Sequence, residues 1–169
     1  MNNSILKTKR LRLEKIESEH KDELYMLLSN QEVHKFPPKV LNETESDKFF
    51  EKIQHRSQTD GYCFWVLIRK SDNTFIGICG LLSQTIDGEK EIELAYRVSD
   101  KFWNQGYGTE AAKGCIRYAG EKLKTASILS LIRSINKPSI RVAEKNGFRL
   151  EKKTIFQEVP DLVYRVYLK

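Results

Sequence analysis

Residues 103–111 read Trp-Asn-Gln-Gly-Tyr-Gly-Thr-Glu-Ala, between a strand-like run and an amphipathic stretch of helical period. Gly106 and Gly108 allow a tight turn with no Cβ in the way. The helix that follows offers unpaired N–H groups and the positive end of its dipole. That combination suits an anion, above all a phosphate or pyrophosphate. A Gly-x-Gly loop alone also serves as a plain strand-to-helix turn, so its context matters. A P-loop is excluded, because Gly108-Thr109-Glu110 does not supply the Gly-Lys-Ser/Thr it needs. Gly106-x-Gly108-x-x-Ala111 has the spacing of a dinucleotide fingerprint. The next strand, however, ends Arg133-Ser134-Ile135-Asn136 with no acid for a ribose, which speaks against a nicotinamide-dependent oxidoreductase.

The elements that must position this loop follow from periodicity. Ile5 to Ile16 alternates as a first strand. Ser18 suits an N-cap, with Leu24, Leu27 and Leu28 on one helical face. Pro37-Pro38 breaks the chain, and Thr44-x-x-Asp47 resembles a capping box ahead of Phe49, Phe50 and Ile53. Tyr62 to Arg69 is an apolar run typical of a buried strand. Ser71-Asp72-Asn73 is a turn, and Phe75 to Gln84 a strand in which Gly77 and Gly80 point to close backbone approach. Asp87-Gly88 predicts a hairpin into a strand over Glu91 to Val98. Gly106 to Lys124 reads as a helix with a stripe of Ala112, Cys115, Ile116, Ala119 and Leu123. A strand over Ser127 to Ile135, a short helix between Pro138 and Gly147, and strands near Phe148 to Gln157 and Leu162 to Leu168 complete the chain. The order β-α-α-β-β-β-α-β-α-β-β predicts an α/β fold, one domain over residues 1–169.

At 169 residues the chain is long enough for a real core. Hydrophobic residues make up 40% and charged residues 31%, and no apolar run approaches the ~18 residues of a membrane span. The opening Met1 to Lys7 lacks a signal-peptide core, so a cytoplasmic location and no membrane partner are expected. Cys63, Cys79 and Cys115 form no Cys-x-x-Cys pair, and His20, His34 and His55 have no metal spacing, so free thiols and no metal are expected. The net charge of +6 favours an anionic ligand or partner, but no nucleic-acid module accompanies it, and nucleic acid is not expected as a partner.

Two segments carry a family resemblance. Glu91-Ile92-Glu93-Leu94-Ala95-Tyr96-Arg97-Val98, with residues 103–111, resembles the central acetyl-CoA motif of the GNAT N-acetyltransferases. Asn136 to Phe148 resembles the motif that follows it. Thr8-Lys9-Arg10-Leu11-Arg12-Leu13 and Val163-Tyr164 are similar to the RimJ/RimL-type subgroup, the ribosomal-protein N-terminal acetyltransferases. The resemblance covers nearly the whole chain. It implies a GNAT-type fold, a mixed and mostly antiparallel seven-stranded sheet flanked by about four helices, with acetyl-CoA as co-substrate. Backbone groups at Gln105, Gly106, Tyr107, Gly108 and Thr109 are then expected to hold the pyrophosphate, and those of Tyr96, Arg97 and Val98 the pantetheine arm, beside a splayed strand ending near Ser134. Asn136, which also suits a helix cap, and Ser139 are expected near the same arm. The chain departs from the family in having Trp103 at the first motif position, Asn104 where glycine is common, and Ala143 where many members carry a tyrosine general acid.

The resemblance implies acetyl transfer to an amine, which needs a held thioester, a deprotonated nucleophile and a stabilised thiolate. A lysine amine (pKa ~10.4) is mostly protonated at neutral pH, whereas an α-amine (~7.7–8.0) is substantially free. Glu93 is the candidate general base, matching a glutamate of the subgroup; Glu91 and Glu93 share one strand face, and Leu94 and Tyr96 the other. Tyr164 and Ser134 are the candidates for the acid. The expected acceptor is a protein or peptide N-terminal α-amine. Small amines such as polyamines or aminoglycosides, and a non-catalytic acyl-CoA-binding module, remain alternatives. The enzyme is expected as a monomer or a homodimer.

Overall fold

The run from Phe64 to Arg69 has no polar face because it crosses the middle of a sheet covered on both sides. The computed structural model describes residues 3–36 and 39–169, and the expected break at Pro37-Pro38 lies outside them. Its strands are β1 (Ser4–Lys7), β2 (Leu11–Lys15), β3 (Phe64–Arg69), β4 (Thr74–Ile86), β5 (Glu89–Val98), β6 (Ser127–Ile132), β7 (Arg149–Phe156) and β8 (Val159–Tyr167). Its α-helices are α1 (Lys21–Leu28), α2 (Glu43–Asp60), α3 (Tyr107–Tyr118) and α4 (Lys137–Lys145). The strands form one sheet in the order β1-β2-β3-β4-β5-β6-β8-β7. Neighbours are antiparallel except β5 and β6, which run parallel.

Alternation along β3 sorts the core into two layers. Trp65 and Leu67 pack with Ala111, Ala112 and Cys115 of α3, and Ala143 of α4 joins that layer. Phe64, Val66 and Ile68 pack with Leu24, Leu27 and Leu28 of α1 and Ile53 of α2. Each of the buried leucines, isoleucines, valines and phenylalanines among them stabilises the fold by roughly 1.5–3 kcal/mol when removed from water. Among the described residues no helix is long and apolar enough to cross a membrane.

Among the described residues the sheet has eight strands where the sequence pointed to seven. The segment read as one strand from Ile5 to Ile16 is an antiparallel hairpin, β1 with β2. Its turn contains no Gly, Pro or Asn. It is held instead from a distance: Glu110 of α3 accepts hydrogen bonds from Thr8 Oγ1 (2.6 Å), the Arg10 N–H (2.7 Å) and Arg10 Nε (2.7 Å). Local residue types cannot reveal a turn stabilised a hundred residues away.

Two helix starts also move. Ser18 opens a 3₁₀ turn, Ser18–His20, and Glu17 is its cap, with the Glu17 N–H donating to His20 Nδ1 at 2.9 Å. The box at α2 is Asn42 with Glu45, two residues before the expected pair Thr44 and Asp47: the Glu45 N–H donates to Asn42 Oδ1 (2.8 Å) and the Asn42 N–H to Glu45 Oε2 (2.9 Å). Asparagine caps as well as serine or threonine, so the earlier residue captures the helix end. The long helix closes in a π turn, Ala119–Leu123, and reverses at Lys124 with φ 52°.

Asp87 and Gly88 adopt φ 50° and 82°, the two-residue turn that matches strand twist. Gln157 and Glu158 do the same between β7 and β8 (φ 48° and 65°), so β8 begins at Val159, earlier than its apolar pattern indicates. Gly77 and Gly80 are close-approach positions. A Cβ on Gly80 would lie 2.6 Å from Phe64 Cα, and one on Gly77 would lie 2.9 Å from Val98 Cα.

Gly80→Ala therefore forces β3 and β4 apart and should destabilise the protein by about 1–3 kcal/mol in urea unfolding. Gly120→Ala, whose added Cβ meets nothing nearer than Leu168 Cδ1 at 3.9 Å, should be neutral or slightly stabilising.

Candidate active site

β5 and β6 come into register at a single pair, Glu93 opposite Leu129. Ser130 Oγ then donates to the Leu94 carbonyl at 2.8 Å, satisfying an acceptor at the point where the strands part. Beyond Leu94 the edge of β5 facing β6 has no strand partner. The gap opens a cleft of about 530 Å³ that reaches both faces of the sheet, with Phe49, Lys52 and Arg56 of α2 on one side and Ser139, Val142 and Ala143 of α4 on the other.

The glycine loop lies at the end of β5. Asn104 (φ 60°) and Gly106 (φ 80°) are both left-handed, and asparagine tolerates that region better than most residues, which accounts for its place in the motif. Trp103 Nε1 donates to the Val98 carbonyl at 2.8 Å and so ties the base of the loop to the strand. Arg10 holds the outer side through Glu110 and the Gln105 carbonyl (2.9 Å) and lies 4.2 Å over the Tyr107 ring. Asn42 and Asn136 cap α2 and α4 with their side chains, whereas Gly106 has none to cap α3. The N–H groups of the first turn of α3 stay free of a capping side chain, as an anion cradle requires.

Glu93 lines the cleft with 8% of its surface exposed. Burial is the largest influence on its carboxyl and raises its pKa to about 7; the nearby Asp161 adds to this, while the Gln84 amide, donating at 2.9 Å, and the charges of Arg56 and Arg97 oppose it. A carboxyl so placed is a proton acceptor matched to neutral pH. Asp161 is raised by burial and held back by Arg133, 3.4 Å away.

Tyr96, Arg97, Asn136 and Ser139 line the same cleft, and Val98 closes the unpartnered edge of β5. The Tyr96 hydroxyl is buried without a hydrogen-bond partner. Ser139 stands beside it outside hydrogen-bond geometry, and burial pushes the Tyr96 pKa up to about 12. Asn136 Oδ1 accepts from the Ser139 N–H at 3.3 Å and caps α4. Gln105, Gly106, Tyr107, Gly108 and Thr109 form the loop and the first turn of α3; the ring of Tyr107 is buried, leaving its backbone to the loop. Tyr164 and Ser134 are not brought to Glu93. Tyr164 packs in the core under α3, and Ser134 is exposed on the turn before α4; neither lines the cleft.

Sequence reading missed Gln84, Asp161 and His34. Gln84 was recoverable, because the Asp87-Gly88 turn fixes Leu82 opposite Glu93 and puts Gln84 on the neighbouring same-face position. Asp161 and His34 have no local signal, since β8 and the segment after α1 reach the cleft only through the tertiary fold.

An uncapped helix start, a parted sheet and an orphaned buried hydroxyl fit a long polar cofactor arm ending in a pyrophosphate. Among the described residues no group of three or more His, Cys, Asp or Glu could hold a metal. The sequence profile of the acetyltransferase (GNAT) domain matches residues 10–149. YkkB of Bacillus subtilis, an uncharacterized protein, is 29% identical over 160 residues, 94% of this chain and 93% of its own. A GNAT-family acetyltransferase from Bacillus anthracis superposes with TM-score 0.81 at 25% identity, over 96% of this chain and 97% of its own. RimL, a ribosomal L7/L12 α-N-protein acetyltransferase solved with coenzyme A, shares the fold (TM-score 0.80, 18% identity, 98% of each chain). The chain belongs to the GNAT family of acetyltransferases and is an acetyl-CoA-dependent acyltransferase.

Proposed function

We propose that the protein acetylates a primary amine of the α-amino type, most readily the N-terminus of a protein or peptide, with Glu93 as general base. The pKa of Glu93, about 7, carries this reading. An α-amine at ~7.7–8.0 lies within a unit of it, so transfer of its proton to Glu93 is nearly balanced; a lysine amine at ~10.4 lies more than three units above. The RimJ/RimL-type assignment belongs to the same proposal and is supported by the motif likeness around Arg10 to Leu13.

Acetyl-CoA supplies the thioester. The first-turn N–H groups from Gly106 to Thr109 would hold its pyrophosphate, and the free edge of β5 from Tyr96 to Val98, with Asn136 and Ser139 opposite, would hold the pantetheine arm. The amine enters from the α2 side, gives its proton to Glu93 directly or through one water, and forms the amide as the carbon–sulfur bond breaks. With a cysteine thiol (pKa ~8.5) as guide, the sulfur can leave as the thiolate and take up its proton afterwards. A dedicated acid is therefore dispensable, which agrees with Ala143 at the position of the family tyrosine and with the places of Tyr164 and Ser134 away from the cleft. Positioning supplies the rest of the rate.

At 100 times its dissociation constant, acetyl-CoA should add ~2.7 kcal/mol of stability, seen as a higher melting temperature, whereas NAD should give no shift. Absence of a shift at saturating acetyl-CoA would remove the loop from the cofactor site. Glu93→Gln should lower kcat by about 10²-fold or more. In the native enzyme kcat/KM should fall with two ionisations on the acid side, the acceptor amine at ~7.7–8.0 and Glu93 at about 7, and in the variant only the amine's ionisation should remain. Unchanged turnover of Glu93→Gln across pH rejects the base. A peptide with a free N-terminus should be acetylated and its N-terminally blocked form should not; equal rates on both, through a lysine, reject the α-amine.

A further inference from the structure

The side of the cleft facing α2 carries charge that the reaction does not use. Arg97 shares its strand face with Glu93, and its guanidinium lies 5.2 Å over the Phe49 ring. The other arginines of the cleft are paired: Arg133 with Asp161 at 3.4 Å, and Arg56 with the Ser83 carbonyl and with Asp60 at 3.9 Å. Among the described residues Arg97 has neither a carboxylate within 4.0 Å nor a hydrogen-bond acceptor. Burial draws its pKa down to about 10, so it remains a cation at neutral pH. The half-buried guanidinium meets no protein acceptor among these residues, so its donors are left to solvent or to the oxygens of a bound ligand.

A second, independent group beside it calls for a hydrogen-bond donor from the same bound molecule. His34, 8% exposed, forms part of the wall, and its Nδ1 lies 3.0 Å from the Asn30 carbonyl oxygen. A carbonyl only accepts, so Nδ1 bears the proton and Nε2 presents a bare lone pair. Nε2 is buried and has no partner among the described residues. Burial, with the Arg97 charge added, lowers the His34 pKa and keeps the ring neutral. Lys52, at the mouth, adds a second positive charge, with no carboxylate within 4.0 Å among the described residues. The cleft wall thus presents cationic donors and one acceptor, unsatisfied, on the acceptor side of Glu93.

We infer that Arg97, with Lys52, forms a specificity subsite for an oxyanion, a carboxylate or a phosphate, carried by the acceptor near its amine, while the Nε2 of His34 accepts from an N–H of the same molecule. This rests on the acyl-transfer reading and narrows it. Residues 93 and 97 lie about 13 Å apart along the strand at 3.3 Å per residue. In an extended peptide that span places the acid within the first four residues. A polyamine or an aminoglycoside would set its own cations against Arg97 and Lys52 and is disfavoured.

The test is a set of free-N-terminus peptides identical except at the third residue, which is Glu, phosphoserine, Gln or Lys. Specific acetylation of each is compared with that of spermidine and phosphoethanolamine. The Glu and phosphoserine peptides should exceed the Gln peptide in kcat/KM by about tenfold or more, mostly through KM, with Lys lowest; the ratio of Glu to phosphoserine says which oxyanion the subsite takes. Raised salt should shrink the preference. In Arg97→Gln the ratio of Glu to Gln peptide should collapse toward one, and Arg97→Lys should restore part of it. Equal rates on the Glu, Gln and Lys peptides, a ratio that survives Arg97→Gln, or preference for spermidine overturns the subsite. Turnover of phosphoethanolamine but of no peptide overturns the peptide acceptor and upholds the subsite. As a readout that needs no turnover, the acetylated Glu peptide with CoA should bind the native protein more tightly than Arg97→Gln by calorimetry, and equal affinity also overturns the subsite.

Discussion

Everything that concerns chemistry in this molecule depends on two parallel strands failing to stay together. β5 is firmly zipped to β4 through ten paired residues, so it cannot follow β6 when the two diverge after Glu93. The divergence leaves backbone groups of β5 without a strand, and buried backbone groups need partners. Ser130 satisfies the first, the Leu94 carbonyl. The remainder form an edge along which an extended, amide-bearing ligand can add as a strand would. The same gap joins the two faces of the sheet, so a donor held under α3 and α4 can meet an acceptor arriving from α2. Without the splay, the glycine loop and Glu93 would lie on opposite sides of a closed wall.

The loop at the end of β5 is held from outside rather than by its own sequence. Glu110, in the first turn of α3, accepts from Thr8, from the Arg10 backbone and from the Arg10 side chain, and Arg10 reaches on to Gln105. Leu6 and Thr8 of the same hairpin pack against Gly114 so closely that a Cβ there would lie 2.9 Å from both side chains. The β1–β2 hairpin is thus a brace for α3. This links the two things the sequence did not make visible together, an extra strand at one edge of the sheet and the rigidity of a helix start whose N–H groups must stay open.

Legibility in the sequence followed the range of the forces. Asp87-Gly88, the α3 stripe and the continuous apolar β3 were readable because a turn conformation or a burial pattern is written in neighbouring residues. The Thr8-Lys9-Arg10 turn and the Gln157-Glu158 turn were not, because residues with no intrinsic preference for them are held by partners far along the chain or by the pairing of whole strands. Among site residues the loop glycines and Glu93 could be named from motif likeness. Glu93's raised pKa could not, since it comes from burial and from Asp161, which only the assembled sheet provides. Tyr164, a candidate acid in sequence, packs in the core layer that contains α3.

Glu93 also shows that the site is not arranged for stability. Its carboxyl is raised from an ordinary value of 4.5 to about 7. A raised carboxyl favours the fold while protonated, so its contribution is intact below pH 4.5 and is lost as pH rises through 7. At 1.36 kcal/mol per unit, ionising it in place costs the fold ~3 kcal/mol, a sizeable share of the 5–15 kcal/mol that holds a typical domain together. A glutamine at the same place would fill similar volume without that penalty. The fold tolerates the carboxyl because the parts around it are overdetermined: β4 and β5 are locked through ten paired residues, and Gly77 and Gly80 let the neighbouring backbones close to contact. A carboxyl near pH 7 exists here because the paired strands around it hold it in a buried place.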